Sequence, residues 1–231
     1  MSNPNVEKLQ VVADGLRDLN LQIAFVGGAT TGLYITNPGA PEARPTMDVD
    51  CVAEIASYPS QMELESGLRK AGFKNDQSPG APICRWLFRG IKVDIMPSDS
   101  SALGFSNSWY KDGVRTAVEA PLPDKKKIRI FTAPYFIASK IEAYKSRGNN
   151  DMRTSPDFED LIYVMDNRNE IADELRHAED KLKNYVKNYF QELLNNSDFE
   201  EGIAAALPYG TGRAGIERIK RIMNEIIADV S

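Results

Sequence analysis

The residues best suited to chemistry are two aspartates in the stretch Arg44-Pro-Thr-Met-Asp48-Val-Asp50-Cys-Val-Ala53. Met47, Val49, Cys51 and Val52 favour a strand around them, although aspartate itself does not. On a strand, residues two apart point to the same face, so Asp48 and Asp50 project together. Like charges that close repel unless a cation or a proton lies between them. A hard divalent ion such as Mg2+ accepts carboxylate oxygens and leaves positions open for phosphate. The plain alternative is a strand end turning into water with both acids hydrated. A third acid, Asp94, lies in Ile91-Lys-Val-Asp-Ile-Met96, where Ile91, Val93 and Ile95 alternate with Lys92, Asp94 and Met96. Asp94 therefore faces away from the aliphatic side, and its plain reading is a solvent-facing acid on a hairpin.

Other chemistries are poorly served by the composition. The single histidine, His177, falls in a charged helical stretch and completes neither a zinc site nor a Ser-His-Asp triad. Cys51 and Cys84 lie far apart in apolar surroundings and read as small buried hydrophobes in a reducing compartment. With 231 residues, 42% apolar and 26% charged, the chain can build one large domain or two small ones. A net charge of -5 argues against a surface given over to nucleic acid, though not against a local basic groove. The start, MSNPNVEKLQ, lacks the basic and apolar regions of a signal peptide. No apolar run approaches the ~18 residues that span a membrane. The expectation is a cytoplasmic protein with no membrane partner.

The elements that must position these acids follow from periodicity. Val6, Leu9, Val12, Ala13, Leu16 and Leu19 make an amphipathic helix over residues 5–19. Leu21–Val26 is a short strand ending in Gly27-Gly28, and Ala29–Ile35 opens a short helix. A strand, two glycines and a helix start present backbone N–H groups that suit a phosphate; more commonly such a pair is only a tight turn. Residues 36–46 form a loop into the Asp48–Ile55 strand. Pro59–Ala71 is a helix stopped by Gly72. Ile83–Phe88 and Ile91–Met96 are strands joined by the two-residue turn Arg89-Gly90. Residues 97–131 are rich in loops, including Gly104, with one strand at Ile128–Phe131.

From Thr132 the pattern becomes helical. The first helix carries the stripe Ala133, Phe136, Ile137, Ile141 and Tyr144, stopped by Gly148, with Lys140 on or beside the stripe and Arg147 continuing it. A lysine there either snorkels to water or reaches an anion in a cleft. Ser155-Pro156-Asp157 opens another helix, on which Asp157 and Asp160 share a face. Residues 168–229 are mostly helical, broken at Tyr209-Gly-Thr-Gly-Arg213 and basic at Arg213, Arg218, Lys220 and Arg221. The chain thus reads as α+β over residues 1–131 and helical over 132–231.

The order of motifs resembles that of the DNA polymerase β-like nucleotidyltransferase superfamily. Within it the chain looks most like the AbiEii-type nucleotidyltransferases, many of which are toxins of toxin–antitoxin or phage-defence systems. The resemblance rests on Phe25-Val-Gly27-Gly28-Ala-Thr-Thr-Gly-Leu33, Arg44-x-Thr46-x-Asp48-Val-Asp50, Val93-Asp94-Ile95, Ala138-Ser-Lys140-Ile-Glu-Ala143 with Arg147, and Asp157-Phe-Glu-Asp160-Leu161. It covers about residues 23–165. The superfamily often has Gly-Ser in place of Gly27-Gly28, and Pro156 stands where a basic residue is usual.

The resemblance implies a nucleotidyltransferase-type mixed sheet with flanking helices, followed by a helical domain that completes the nucleotide cleft and acceptor site. It implies transfer of an NMP from an NTP to an acceptor hydroxyl, with pyrophosphate released. Asp48, Asp50 and Asp94 would hold Mg2+ or Mn2+, and Asp94 would help deprotonate the acceptor. Gly27, Gly28 and Thr30 would cradle the phosphates. Lys140 would neutralise triphosphate charge, with Arg147 at the phosphate edge and Asp160 orienting Lys140 as second choices. The acceptor is left open between RNA, with a tRNA 3′ end suggested by toxin relatives, a protein side chain and a small molecule. Arg213–Arg221 is the best local candidate for an RNA surface, and an antitoxin is an implied protein partner. Two other readings compete: a catalytically silent nucleotide- or partner-binding module, and a metal-dependent phosphohydrolase.

Overall fold

The computed structural model describes residues 3–19, 21–55, 58–99, 107–147 and 151–228. Strand and helix patterning segregate into two compact units, one of residues 1–30 and 44–132, the other of residues 31–43 and 133–231. The chain crosses between them near residue 132 and also at both ends of the segment 31–43.

The first unit is built on a seven-stranded mixed sheet in the order β3-β4-β5-β2-β1-β7-β6. The strands are β1 (Ile23–Val26), β2 (Asp48–Ala53), β3 (Lys74–Asn75), β4 (Arg85–Phe88), β5 (Ile91–Pro97), β6 (Val118–Pro121) and β7 (Lys127–Ile130). Parallel pairing joins β2 to β5 and β1 to β7; the other neighbours run antiparallel. Helices α1 (Pro4–Leu16), α2 (Tyr58–Lys70) and α3 (Tyr110–Arg115) complete the unit. α1 starts as its sequence dictates: the Asn3 side chain accepts from the Asn5 N–H at 2.9 Å, and Pro4 fills the first turn. Its Leu9, Val12 and Leu16 are buried. Two residues past α2 the chain turns at Gly72, whose φ of +93° suits a residue without a Cβ.

The β4–β5 connection sets the geometry of the site. Arg89 and Gly90 take φ of 49° and 81°, the left-handed pair of a two-residue hairpin turn. Counting outward from Phe88↔Ile91, the register places Leu87 opposite Lys92, Trp86 opposite Val93, and Arg85 opposite Asp94. A slip of one residue would turn every side chain of β4 to the other face.

The second unit is helical: α4 (Ala133–Arg147), α5 (Pro156–Asn167), α6 (Ile171–Arg176), α7 (Asp180–Leu194), α8 (Phe199–Ala206) and α9 (Gly212–Ile227). Phe136, Ile137, Ile141, Phe158, Leu161, Ile162, Phe190 and Phe199 are fully buried among them. The segment 31–43 is tied in by polar bonds. Arg168 donates to the Tyr34 carbonyl at 2.6 Å while its fork holds Glu174, and the Tyr163 hydroxyl donates to the Pro41 carbonyl at 2.6 Å. The Tyr34 ring lies 4.5 Å from that of Phe136.

The α+β class is observed. Three elements were not expected, β3, α3 and β6, and the last two fall in a stretch read as loop with one strand. Gly104 and Gly148 lie outside the described residues. Among the described residues no helix is long and apolar enough to cross a membrane.

Candidate active site

Four strands of the first unit bring the candidate acids together. β2 and β5 run parallel with Asp50 beside Asp94 and Asp48 beside Lys92. Paired positions in register share a face, so Asp48, Asp50 and Asp94 lie on one side of the sheet. On the flanks, Arg85 of β4 is opposite Asp94 and Val26 of β1 is opposite Asp50. A row of Arg85, Asp94, Asp50 and Val26 therefore crosses the sheet, ending where the chain turns at Gly27.

Asp94 is not the solvated hairpin acid of the plain reading. It is 8% exposed and held by the Arg85 guanidinium, with Nε donating to Oδ1 at 2.7 Å and Nη2 to Oδ2 at 2.7 Å. The same Nη2 donates to Asp48 Oδ2 at 3.2 Å. Two carboxylates from separate strands thus converge on one cationic nitrogen. The hydrogen bonds that Arg85 donates to Asp94, and the charges of Asp94 and Asp48, raise the Arg85 pKa further above its ordinary value. Burial, then the neighbouring Asp50 and Asp94, push the Cys51 thiol well up. Burial and Asp94 likewise raise Cys84 to about 11. Both cysteines are buried, free and protonated at neutral pH, as expected of small hydrophobes.

Asp50 is placed by Gly27. Gly27 has φ of +71°, and a Cβ built on it would lie 2.0 Å from Asp50 Oδ2. The Asp50 carboxylate thus occupies the space that any larger residue at 27 would fill. The turn is closed from within: the Thr30 N–H and Oγ1 both donate to the Gly27 carbonyl, at 3.2 and 2.9 Å. Gly28 then opens a 3-10 helix over Gly28–Tyr34. Thr30 is fully buried and its hydroxyl serves the turn.

The loop before Asp48 is pinned to α1. The Asn5 amide donates to the Arg44 carbonyl at 2.9 Å and accepts from the Thr46 N–H at 2.9 Å, and Lys8 donates to the Thr46 carbonyl. Thr46 Oγ1 donates to the Asp48 carbonyl at 3.0 Å, stapling the start of β2.

The remaining expected residues lie in the helical unit. Lys140 does not snorkel. It is 5% exposed, with Nζ donating to Asp160 Oδ2 at 2.6 Å and Asp157 Oδ1 at 3.0 Å. Burial opposes its charge, but the two carboxylates outweigh burial and raise its pKa. Arg147, 71% exposed, reaches Asp157 Oδ2 at 3.2 Å. Each unit thus holds a charged group of its own, Asp48–Asp50–Asp94–Arg85 in the first and Lys140–Asp157–Asp160–Arg147 in the second.

Sequence reasoning missed Arg85 and Asn5. Arg85 could have been found by counting back from the Arg89-Gly90 turn to the residue opposite Asp94. Asn5 left no comparable signal, since its partners are backbone groups about forty residues away.

A divalent cation fits the donor set, which offers hard carboxylate oxygens from two strands already converging on one positive atom. Among the described residues, however, no three His, Cys, Asp or Glu side chains are gathered ready to hold an ion. In the first group Arg85 supplies the positive charge.

Comparison with known proteins places this geometry in a fold. No family model matches the sequence, and no curated protein does. An antigenic nucleotidyltransferase-like protein from Paracoccidioides brasiliensis is similar in structure, with a TM-score of 0.51 at 20% identity over 88% of this chain and 94% of that one. The antibiotic-resistance factor ANT(2'')-Ia matches with a TM-score of 0.50 at 11% identity over 84% and 95%. The chain has a nucleotidyltransferase-like fold.

Two substitutions test the packing described here. Gly27→Ala forces a Cβ onto Asp50 and a left-handed backbone onto alanine, and should destabilise by about 1–3 kcal/mol, read from urea unfolding. Lys140→Met leaves two buried carboxylates without their ammonium and should cost about 3–5 kcal/mol, partly recovered on adding Asp160→Leu. In wild type the raised Lys140 pKa gives stability that persists below the ordinary lysine value of 10.5 and is lost as pH rises through the folded value. On the alkaline side, the wild-type–Lys140→Met difference should therefore shrink only in strong alkali.

Proposed function

We propose that this chain is a metal-dependent nucleotidyltransferase that moves an NMP from an NTP to an acceptor hydroxyl. The observation that carries the reading is the register of β2 and β5, which sets Asp48, Asp50 and Asp94 on one face beside the Gly27 turn. The nucleotidyltransferase-like fold supports it. Asp48, Asp50 and Asp94 would hold Mg2+ or Mn2+, which supplies Lewis-acid neutralisation of the triphosphate when bound. The Gly27-Gly28 turn, with the Asp50 carboxylate against it, would present backbone N–H groups to phosphate oxygens. Asp94, the most enclosed of the three acids, is assigned the acceptor proton. The covalent work asked of the protein is small; position and charge carry the step.

The acceptor we propose is an RNA 3′ end, tRNA above all, in an AbiEii-like toxin or phage-defence setting with an antitoxin as partner. That rests on the motif resemblance. The basic stretch of α9 lends it little, since Arg218 is forked onto Asp166 and Lys220 and Arg213 face Glu200 and Glu217. Arg85 favours a second reading, in which the guanidinium permanently replaces the ion and the chain is a silent nucleotide- or partner-binding module.

Labelled NTPs with Mg2+ or Mn2+ should transfer label to total RNA, to protein or to a small hydroxylated acceptor, releasing pyrophosphate. Asp48→Ala should reduce transfer by more than about a hundredfold, the scale of losing a group that stabilises transferring charge. Nucleotide binding without transfer to any acceptor would favour the silent module. Release of phosphate or free nucleoside monophosphate would mark a phosphohydrolase.

A further inference from the structure

We infer that Arg85 is an exchangeable internal cation: it occupies the ion position between Asp48 and Asp94, and its displacement admits the divalent metal. The inference rests on the metal-dependent reading above and concerns how that site is loaded.

Three observations carry it. First, the contacts are mutually exclusive with an ion. Nη2 lies 2.7 Å from Asp94 Oδ2 and 3.2 Å from Asp48 Oδ2, the two oxygens that would share a cation. The fork also takes Asp94 Oδ1 through Nε, so both oxygens of Asp94 are engaged. Second, the like charges call for a cation. Asp48 and Asp94 lie on one face of two adjacent strands and repel unless one is present, and Arg85 is paired with both. Third, the guanidinium is held by little else. Among the described residues its side-chain hydrogen bonds all go to Asp94 and Asp48. Arg85 is the first residue of β4, and its backbone is fixed independently, with its N–H donating to the Pro82 carbonyl and its carbonyl accepting from Asp76. The side chain can leave without disturbing the strand.

Arginine forks match phosphate as well as carboxylate. A triphosphate arriving with its metal gives the displaced guanidinium a replacement anion. The site therefore takes metal poorly alone and well together with nucleotide. If the Arg85-paired state is populated a hundred to one, it weakens apparent metal affinity about a hundredfold.

The test is Mn2+ binding, followed by electron paramagnetic resonance without nucleotide and with a non-hydrolysable ATP analogue. Without nucleotide, Arg85→Gln should bind Mn2+ at least tenfold more tightly than wild type. Arg85→Lys, which keeps the charge but loses the fork, should fall between, and it decides the question if the glutamine variant does not fold by circular dichroism. Adding Asp94→Asn to Arg85→Gln should erase the gain. Unchanged or weaker Mn2+ binding in the Arg85 variants, with nucleotide-dependent binding to wild type retained, would overturn this inference and leave the proposed function standing. No Mn2+ binding to any of these proteins, even with the ATP analogue, would overturn both.

Discussion

Three acids on one face of two adjacent strands, two of them converging on a single guanidinium, are the constraint from which the first unit's design follows. Such crowding is costly in a folded protein unless positive charge is placed among the acids. The chain meets the cost within the sheet itself. A two-residue turn at Arg89-Gly90 fixes the β4–β5 register and delivers Arg85 opposite Asp94. The parallel pairing of β2 with β5 brings Asp48 and Asp50 alongside. Gly27 makes room for Asp50, and Asn5 anchors the loop that leads into β2.

The helical unit solves a related problem differently. Lys140, Asp157 and Asp160 are all at most 8% exposed, so their charges are matched inside the packing of α4 against α5. Breaking that group leaves bare buried charge and threatens the unit's stability. Arg85 is less enclosed, with 18% of its side chain exposed, and sits at a strand end. It can exchange partners at much smaller structural cost. A permanent ionic bond and a replaceable one are thus distinguished by burial, although both are Asp-rich groups around one cation.

Much of this was legible from residue order, and the failures have identifiable physical causes. The Asp-x-Asp strand, the glycine turn and the hairpin followed from alternation and turn chemistry, which act over a few residues. The Ser155-Pro156 start was similarly clear: Ser155 caps the helix by accepting from the Phe158 N–H at 3.3 Å. β6 was missed because Val118-Glu-Ala-Pro121 has one buried residue and a proline, and becomes a strand only through pairing with β7. β3 is two exposed residues long. Read from its own helix, Lys140 chose between water and a bound anion, because nothing there reveals acids arriving from α5; only the motif resemblance pointed to Asp160 as its orienting partner. In the basic stretch at Arg213–Arg221, the acids facing Arg218 and Lys220 were hidden for the same reason, Asp166 and Glu200 lying on other helices.

The central claim is that Asp48 and Asp94, with Asp50 beside them, define a cation position that Arg85 fills until a metal replaces it. Crystals grown with Mn2+ and a non-hydrolysable NTP, measured for anomalous scattering at the manganese edge, test it most directly. The account predicts an anomalous peak between the Asp48 and Asp94 carboxylates, with the Arg85 guanidinium withdrawn from both. Nucleotide bound with Arg85 still forked onto Asp94, and no peak at those carboxylates, would contradict it.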